Sequence, residues 1–327
     1  MLTKLKTLVN RIGNTPLIQL EHEKINLFAK LELHNFMSSV KIRPAYYILK
    51  TAIESGEINQ NTTVIESSSG NFGVALATLC KYLHIKFIAV IDPNINSNYE
   101  QMLRSIAYDV VKVTTPDPTG GYLLTRVKTV QELCQQIPYS FWTNQYENPN
   151  NPLSHYLGLG AELVGHFGHL DYAFIGVSSG GTISGISQCL KESFPHVKII
   201  AVDSEGSVIF GDKPKKRYIP GLGSSMVPPN VKRALIDEII HVSEINTVEG
   251  CKQLFEEHAI FAGGSSGTSY YAINQYFEKM KPGEKPNVVF ICPDSGVPYI
   301  NTIYNQDWKM WLYEQNEEQA RLSVPNK

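Results

Sequence analysis

The amino-acid sequence predicts an α/β protein of two domains, each a mainly parallel, twisted sheet flanked by helices, and three observations carry that prediction. Short apolar runs alternate with amphipathic segments along the chain, a pattern that winds parallel strands with helices on both faces. The 327 residues suffice for two units of ordinary domain size, each with its own core. Turn formers crowd residues 144–152, Asn-Gln-Tyr-Glu-Asn-Pro-Asn-Asn-Pro, which marks the seam.

In chain order, strands are expected at 27–31, 63–66, 86–91, 110–113, 172–177, 198–202 and 287–291, where apolar residues run together. Helices are expected at 42–55, 73–82, 99–107, 121–136, 182–193, 247–257 and 266–280, where the segments are amphipathic. A second loop-rich stretch, 204–229, holds the dense basic run Lys213-Pro214-Lys215-Lys216-Arg217, which reads as solvated loop. No solenoid repeat or low-complexity tract interrupts the pattern.

Composition excludes several classes of function. Apolar residues make up 43% and charged residues 18%, which suits a globular chain rather than a disordered one. A formal net charge of −2 gives no overall field toward nucleic acid or an anionic membrane, so neither is expected as a partner. The five cysteines are scattered and never paired as C-x-x-C, which predicts no disulfide framework, no zinc site and a reducing, cytoplasmic setting. His166 and His169 lack neighbouring ligands and read as helix-end or surface residues, so no metal is expected. No secretory leader and no bilayer-spanning run is read.

In an open α/β sheet, ligands bind beyond the carboxyl ends of the strands, so the loops leaving strands are the places to look. Ser38-Ser39-Val40-Lys41 precedes a helix, where a lysine opposes the macrodipole. Lys41 is either a surface residue or a Schiff-base nucleophile. Ser67-Ser68-Ser69-Gly70-Asn71-Phe72-Gly73 reads as an N-cap cluster, as a carboxylate cradle of free amides, or as both. Ser178-Ser179-Gly180-Gly181-Thr182 lacks both a Walker lysine and the dinucleotide spacing. It suits a monophosphate at a helix start, or a plain strand-to-helix turn. Gly263-Gly264-Ser265-Ser266-Gly267 opens another helix, and Pro293-Asp294-Ser295-Gly296 reads as an ordinary turn after the last strand.

Taken in order, these pieces resemble the cysteine synthase and cystathionine β-synthase family of fold-type II pyridoxal-phosphate enzymes. Gly13-Asn14-Thr15-Pro16-Leu17, Lys30 with Glu32 and Asn35, Asn144-Gln145-Tyr146 and Gly221-Leu222-Gly223 complete the series, over roughly residues 8 to 312. The resemblance implies a tryptophan synthase β-like fold with pyridoxal 5′-phosphate between two domains. The smaller would be 35–145, with a mobile substrate loop at Ser67 to Asn71. The larger would be 1–34 plus 146–327. It further implies that Lys41 forms the Schiff base and moves the α-proton, and that Asn71 bonds the cofactor's ring oxygen. Ser178, Ser179, Gly180, Gly181 and Thr182 would hold its phosphate, and Ser265 would face its pyridine nitrogen. A hydroxyl there offers no opposite charge, so the ring is a weaker electron sink and β-elimination through an aminoacrylate is favoured. Ser67, Ser68, Ser69, Gly70 and Asn71, with Gly221, would bind substrate. Family members are mostly homodimers, so a homodimer is expected.

Departures narrow the substrate. Ser178 and Tyr146 add hydroxyls where the family carries glycine and phenylalanine. Ile42 stands for an aspartate, Phe36-Met37 for proline and glycine, and Val297-Pro298 for an acidic-basic pair. The segments 120–126 and 203–214 resemble a subgroup that joins O-phospho-L-serine to L-glutamate. Its product is N-(2-amino-2-carboxyethyl)-L-glutamate, for 2,3-diaminopropionate in siderophore (staphyloferrin B) and antibiotic pathways. A phosphorylated donor needs a cation at its leaving group, and Arg126 is the candidate, unless it is an exposed helix residue. A cysteine synthase using sulfide, and a catalytically silent cofactor-binding scaffold or sensor, remain as alternatives.

Overall fold

The computed structural model describes residues 1–118, 121–281 and 283–322, with side chains up to residue 318. Gly120, in one of the segments resembling the subgroup, lies outside the described residues, as do 323–327. The strands are β1 (Leu17–Leu20), β2 (Asn26–Leu31), β3 (Thr63–Ser67), β4 (Lys86–Ile91), β5 (Asp109–Lys112), β6 (Ser140–Trp142), β7 (Tyr172–Gly176), β8 (Lys198–Ser204), β9 (Glu238–Val242) and β10 (Asn287–Cys292). The helices are α1 (Leu2–Lys6), α2 (Ile42–Glu54), α3 (Asn71–Leu83), α4 (Ser97–Ile106), α5 (Leu123–Gln136), α6 (Asn150–His155), α7 (Ala161–His166), α8 (Gly181–Ser193), α9 (Glu244–His258), α10 (Gly264–Phe277) and α11 (Gln306–Leu322).

Two sheets form, as the alternation predicts. One has four strands in the order β5-β4-β3-β6, all parallel. The other has six, β1-β2-β10-β7-β8-β9, parallel except for the β1–β2 pair. Every residue of β3 is buried, and Ile199 to Val202 of β8 are shut from solvent. Such unbroken runs are what a strand covered by helices on both faces requires.

Each sheet carries apolar packing on both faces. Leu5, Ile48, Leu49, Leu76, Leu79 and Phe87 join α1, α2 and α3 to the four-stranded sheet, while Ile65, Val90 and Val130 pack its other face beneath α5. On the six-stranded sheet, Phe174, Phe290, Tyr270 and Ile273 fill the side under α9 and α10, and Ile175, Ile186 and Leu190 the side under α8. Ile42 is fully buried in the first of these clusters, where an aspartate would lie uncompensated in an apolar core.

The charged motif near the amino end proves to be scaffold. Arg43 donates to both oxygens of Glu32 at 2.7 and 2.8 Å and to both of Glu162 at 2.7 and 2.9 Å. Lys30 pairs with Glu162 at 2.7 Å, and Thr15 and Asn35 cap Glu32. Burial works to raise the Glu162 carboxyl, but bonds from Arg43 and Lys30 outweigh it and hold it at about 2. Two cations thus balance two carboxylates, and the network clamps the first turn of α2, directly after Lys41, to β2 and α7.

Candidate active site

Loops leaving β3, β4, β7 and β8 line one cleft of about 720 Å³. It shares Lys41, Asn71, Ser178 and Ser179 with an inner cavity that also reaches Thr182, Ser265 and Asp294. All eight residues expected to bind the cofactor therefore meet there except Gly181, which begins α8 beside Gly180.

Three segments are stitched together to form the wall of the inner cavity. Val40 donates its amide to Pro293 at 2.8 Å, Ser295 donates to Ser38 at 3.3 Å, and Gly263 donates to Asp294 at 3.0 Å. Lys41 emerges from this seam at the start of α2. Its amine makes no hydrogen bond or ion pair among the described residues. Burial lowers its pKa below the ordinary lysine value, against the charge of Asp294, which raises it. An amine with that shift is a better nucleophile and base at neutral pH than a solvated lysine.

The loop after β7 presents backbone donors. The amides of residues 179–182 have no acceptor among the described residues, and they sit at the start of α8, a helix of 13 residues. Gly180 has a φ of +81°, and a Cβ on Gly181 would fall 2.0 Å from Asn151 Oδ1. Only glycine lets the chain turn this tightly against α6. Asn151 in turn donates to the Gln145 carbonyl and, at 3.5 Å, to Ser179 Oγ. Ser178 Oγ donates to Gly223 at 3.3 Å, and Thr182 Oγ1 meets His155 Nε2 at 3.3 Å. Burial is the largest cause holding that imidazole well below its ordinary pKa, and Lys41 and Arg43 add to it, so it is neutral. Free amides at a helix start, beside an unpaired lysine amine, fit a compound carrying both a phosphate and a carbonyl.

The loop after β3 is held by side chains. Ser68 Oγ accepts from Gly73 at 2.9 Å and caps α3. Ser69 Oγ donates to Asp92 at 3.0 Å and accepts from Arg126 Nη1 at 2.9 Å, and Arg126 Nε lies 3.1 Å from Asp92. Arg126 is 12% exposed, so it belongs to the cleft wall and is not a solvated helix arginine. The Ser67 hydroxyl is buried with no partner among the described residues, and Gly70 has nothing within 4 Å of where a Cβ would point. Beneath the loop, Glu66 accepts from Thr143, from the Ser67 amide at 2.7 Å and from the Gln145 amide at 3.2 Å. Burial nevertheless pushes its carboxyl up to about 7.

Asp294, read from the sequence as part of a turn, stands at the centre. Its Oδ2 accepts from Asn71 at 2.7 Å and from Tyr299 at 2.8 Å, and Tyr99 donates to Asn71 Oδ1 at 2.6 Å. Burial raises its pKa, with Tyr299, Asn71 and Lys41 pulling the other way, and Oδ1 has no partner among the described residues. Asn71 thus already donates one N–H to Asp294, which leaves the second for a ring oxygen. Ser265, 6% exposed, opens α10, and Gly221 lies across from it with φ +114°. Tyr146 is half-buried in the cleft wall. The signal for Asp294 was its place at the carboxyl end of β10. Asp92 has the same signal after β4. The run at 213–217 is not wholly solvated, because Lys215, Lys216 and Arg217 line the cleft.

The sequence profile of the family described as pyridoxal-phosphate dependent enzyme matches residues 8–294. An O-acetylserine dependent cystathionine β-synthase from Helicobacter pylori superposes with a TM-score of 0.83 at 30% identity, over 90% of this chain and 97% of its own. A hydrogen sulfide-producing enzyme from Fusobacterium nucleatum superposes at 0.82 with 27% identity, over 89% and 98%. A further hydrogen sulfide-producing enzyme, solved with an α-aminoacrylate intermediate, gives 0.85 at 27% identity, over 93% and 92%. With a cavity that fits the cofactor and a profile covering most of its length, the chain belongs to the pyridoxal-phosphate dependent enzymes of the cysteine synthase and cystathionine β-synthase type, and its cofactor is pyridoxal 5′-phosphate.

Proposed function

We propose that the chain catalyses β-replacement between O-phospho-L-serine and L-glutamate, giving N-(2-amino-2-carboxyethyl)-L-glutamate and phosphate, for 2,3-diaminopropionate in siderophore or antibiotic assembly. The observation that supports this reading most is Arg126. It is a guanidinium in the cleft wall, bonded to Ser69 of the loop that would take the donor's carboxylate. A departing phosphate carries two negative charges and calls for such a partner, whereas a departing acetate needs far less.

Pyridoxal phosphate would be held by the amides of residues 179–182, by Lys41, and by Asn71 and Ser265, and would supply an electron sink at Cα. The amides at the start of α3 take the donor's carboxylate. Lys41, its pKa lowered by burial, removes the proton from Cα. Phosphate leaves Cβ with the electrons of the C–O bond and is met by Arg126. The glutamate amine forms the N–Cβ bond and its proton passes to the released phosphate, and Lys41 returns to Cα the proton it took. Ser178 and Tyr146 add hydroxyls to the pocket beside these groups.

Phosphate release from O-phospho-L-serine by the cofactor-loaded protein, with L-glutamate or with sulfide, tests the reading. Release that requires glutamate supports it, and release driven by sulfide alone overturns it. The likeness to an O-acetylserine dependent enzyme and to hydrogen sulfide producers favours a second reading, a sulfide- or thiol-using β-replacement, which the same assay detects.

A further inference from the structure

The cleft is far more basic than the chain. Its lining carries five cations, Lys41, Arg126, Lys215, Lys216 and Arg217, against one carboxylate, Asp92, on a protein of net charge −2. A concave, low-dielectric wall of one sign concentrates anions. Lys41 is claimed by the cofactor and Arg126 is paired with Asp92. Lys215 reaches Glu205 at 3.5 Å, and Lys216 lies over the ring of Tyr218 at 5.0 Å.

Arg217 differs from all of these. It is largely shut from solvent but has no carboxylate within ion-pair distance among the described residues, and its one hydrogen bond runs from Nη1 to the Leu222 carbonyl at 3.0 Å. Burial lowers its pKa most, and Asp203, Glu244 and Tyr146 act on it only from a distance. The side chain is deliberately accommodated. Gly223 turns at φ +72°, and a Cβ there would fall 2.0 Å from Arg217 Nη1. The loop behind it is pinned, because Glu244 accepts the amides of Tyr218 at 2.6 Å and Ile219 at 2.5 Å. Arg126, Tyr146 and Arg217 all line this one cleft.

We infer that Arg217 is the specificity residue for the second substrate, receiving a carboxylate of an acidic amino-acid nucleophile while Arg126 faces the donor's leaving group. A pinned, partly buried guanidinium with no carboxylate at ion-pair distance is a ready partner for a planar carboxylate, which it can bind through two parallel bonds. Sulfide or an uncharged thiol would leave it unpaired. The inference rests on the proposed β-replacement with an acidic nucleophile and names the group that would choose that nucleophile.

The test uses the cofactor-loaded wild type, Arg217→Met, Arg217→Lys and the control Lys213→Met, an exposed residue of the same basic run. Retention of the Schiff-base absorbance shows that each variant is folded and loaded. Glutarate, a dicarboxylate with no amine to react, is titrated by thermal shift, and phosphate release is followed with L-glutamate and with sulfide. Glutarate should stabilise the wild type and the control, Arg217→Lys less, and Arg217→Met not at all. The KM for glutamate should rise about ten- to a hundredfold in Arg217→Met, the loss expected for one charged hydrogen-bond partner. The KM for phosphoserine should move far less. A glutarate response or glutamate KM unchanged in Arg217→Met overturns the inference, as does a wild type that ignores glutarate. If the wild type binds glutarate through Arg217 yet releases no phosphate with glutamate, the carboxylate site stands and the proposed reaction falls.

Discussion

The two walls of the cleft are built by different means. The wall on the six-stranded sheet, residues 178–182, is shaped by backbone, with amides at the start of α8, Gly181 pressed against α6 and Gly180 against Val231, so closely that a single methyl on either would collide. The wall on the four-stranded sheet, residues 67–71, is shaped by side-chain bonds, Ser69 to Asp92 and Arg126, and Asn71 to Tyr99 and Asp294. Close-packed backbone has one arrangement, whereas side-chain bonds can be exchanged for bonds to a ligand without repacking a core. The first wall has the rigidity that a resident cofactor would need, and the second the exchangeable bonds that a passing substrate would use.

Lys41 stands where the walls meet, and its loss should have the largest effect. Lys41→Ala should abolish the Schiff-base absorbance and lower turnover by about 10²–10⁴-fold, the usual scale for a positioned base. A variant keeping both the band and full turnover would remove Lys41 from the chemistry.

A pair of glycines separates the walls directly. Gly181→Ala places its Cβ 2.0 Å from Asn151, so about 2–3 kcal/mol of stability and much of the cofactor affinity should go. Gly70→Ala meets nothing within 4 Å and should leave the melting temperature in place. Equal effects from the two in a thermal melt would erase the distinction.

The pH dependence sharpens it from beneath the substrate wall. Burial raises the Glu66 carboxyl to about 7 from an ordinary 4.5. The unfolded chain therefore ionises first as pH rises, and the stability Glu66 contributes is present below about 4.5 and lost by about 7. Glu66→Gln should abolish this loss, gaining about 3 kcal/mol on the wild type between pH 4.5 and 8 in urea titrations. No relative gain would mean the carboxylate is ionised in the fold. Glu162 carries the opposite sign, since its contribution is present above 4.5 and lost as pH falls toward 2.

The smallest effect belongs to Tyr99. Tyr99→Phe removes the bond that holds Asn71 Oδ1 and should cost about 1 kcal/mol, read as a modest rise in donor KM with a similarly modest loss of cofactor affinity. A larger loss of cofactor than of donor affinity would assign Asn71 to the cofactor's wall alone.

Reading the sequence recovered every interior strand and the edge strand β5, and missed β1, β6 and β9. All three are sheet edges, and their residues are mostly only partly buried. An edge strand such as Glu-Ile-Ile-His-Val needs no continuous apolar run, so its pattern fades into loop. The short helices α1, α6 and α7 and the long α11 were missed as well, α6 because its Asn-Asn-Pro start reads as a turn. The phosphate-loop residues, Lys41, Asn71 and Ser265 stood out as candidates because each sits in a contiguous motif at the start of a helix.

What the sequence by itself determined was therefore local: which loops carry chemistry, and which glycines, serines and lysine they hold, since backbone turns and helix starts are set by neighbours in the chain. Only the tertiary structure decided which of those loops share a wall. It brought Asp294 onto Asn71, 223 residues away, folded the basic run inward so that Arg217 lines the same cleft as Tyr146, and turned a run of charged residues near the amino end into a buried clamp behind Lys41. Those pairings depend on how two sheets and their covering helices pack, and packing is a property of the buried surfaces together.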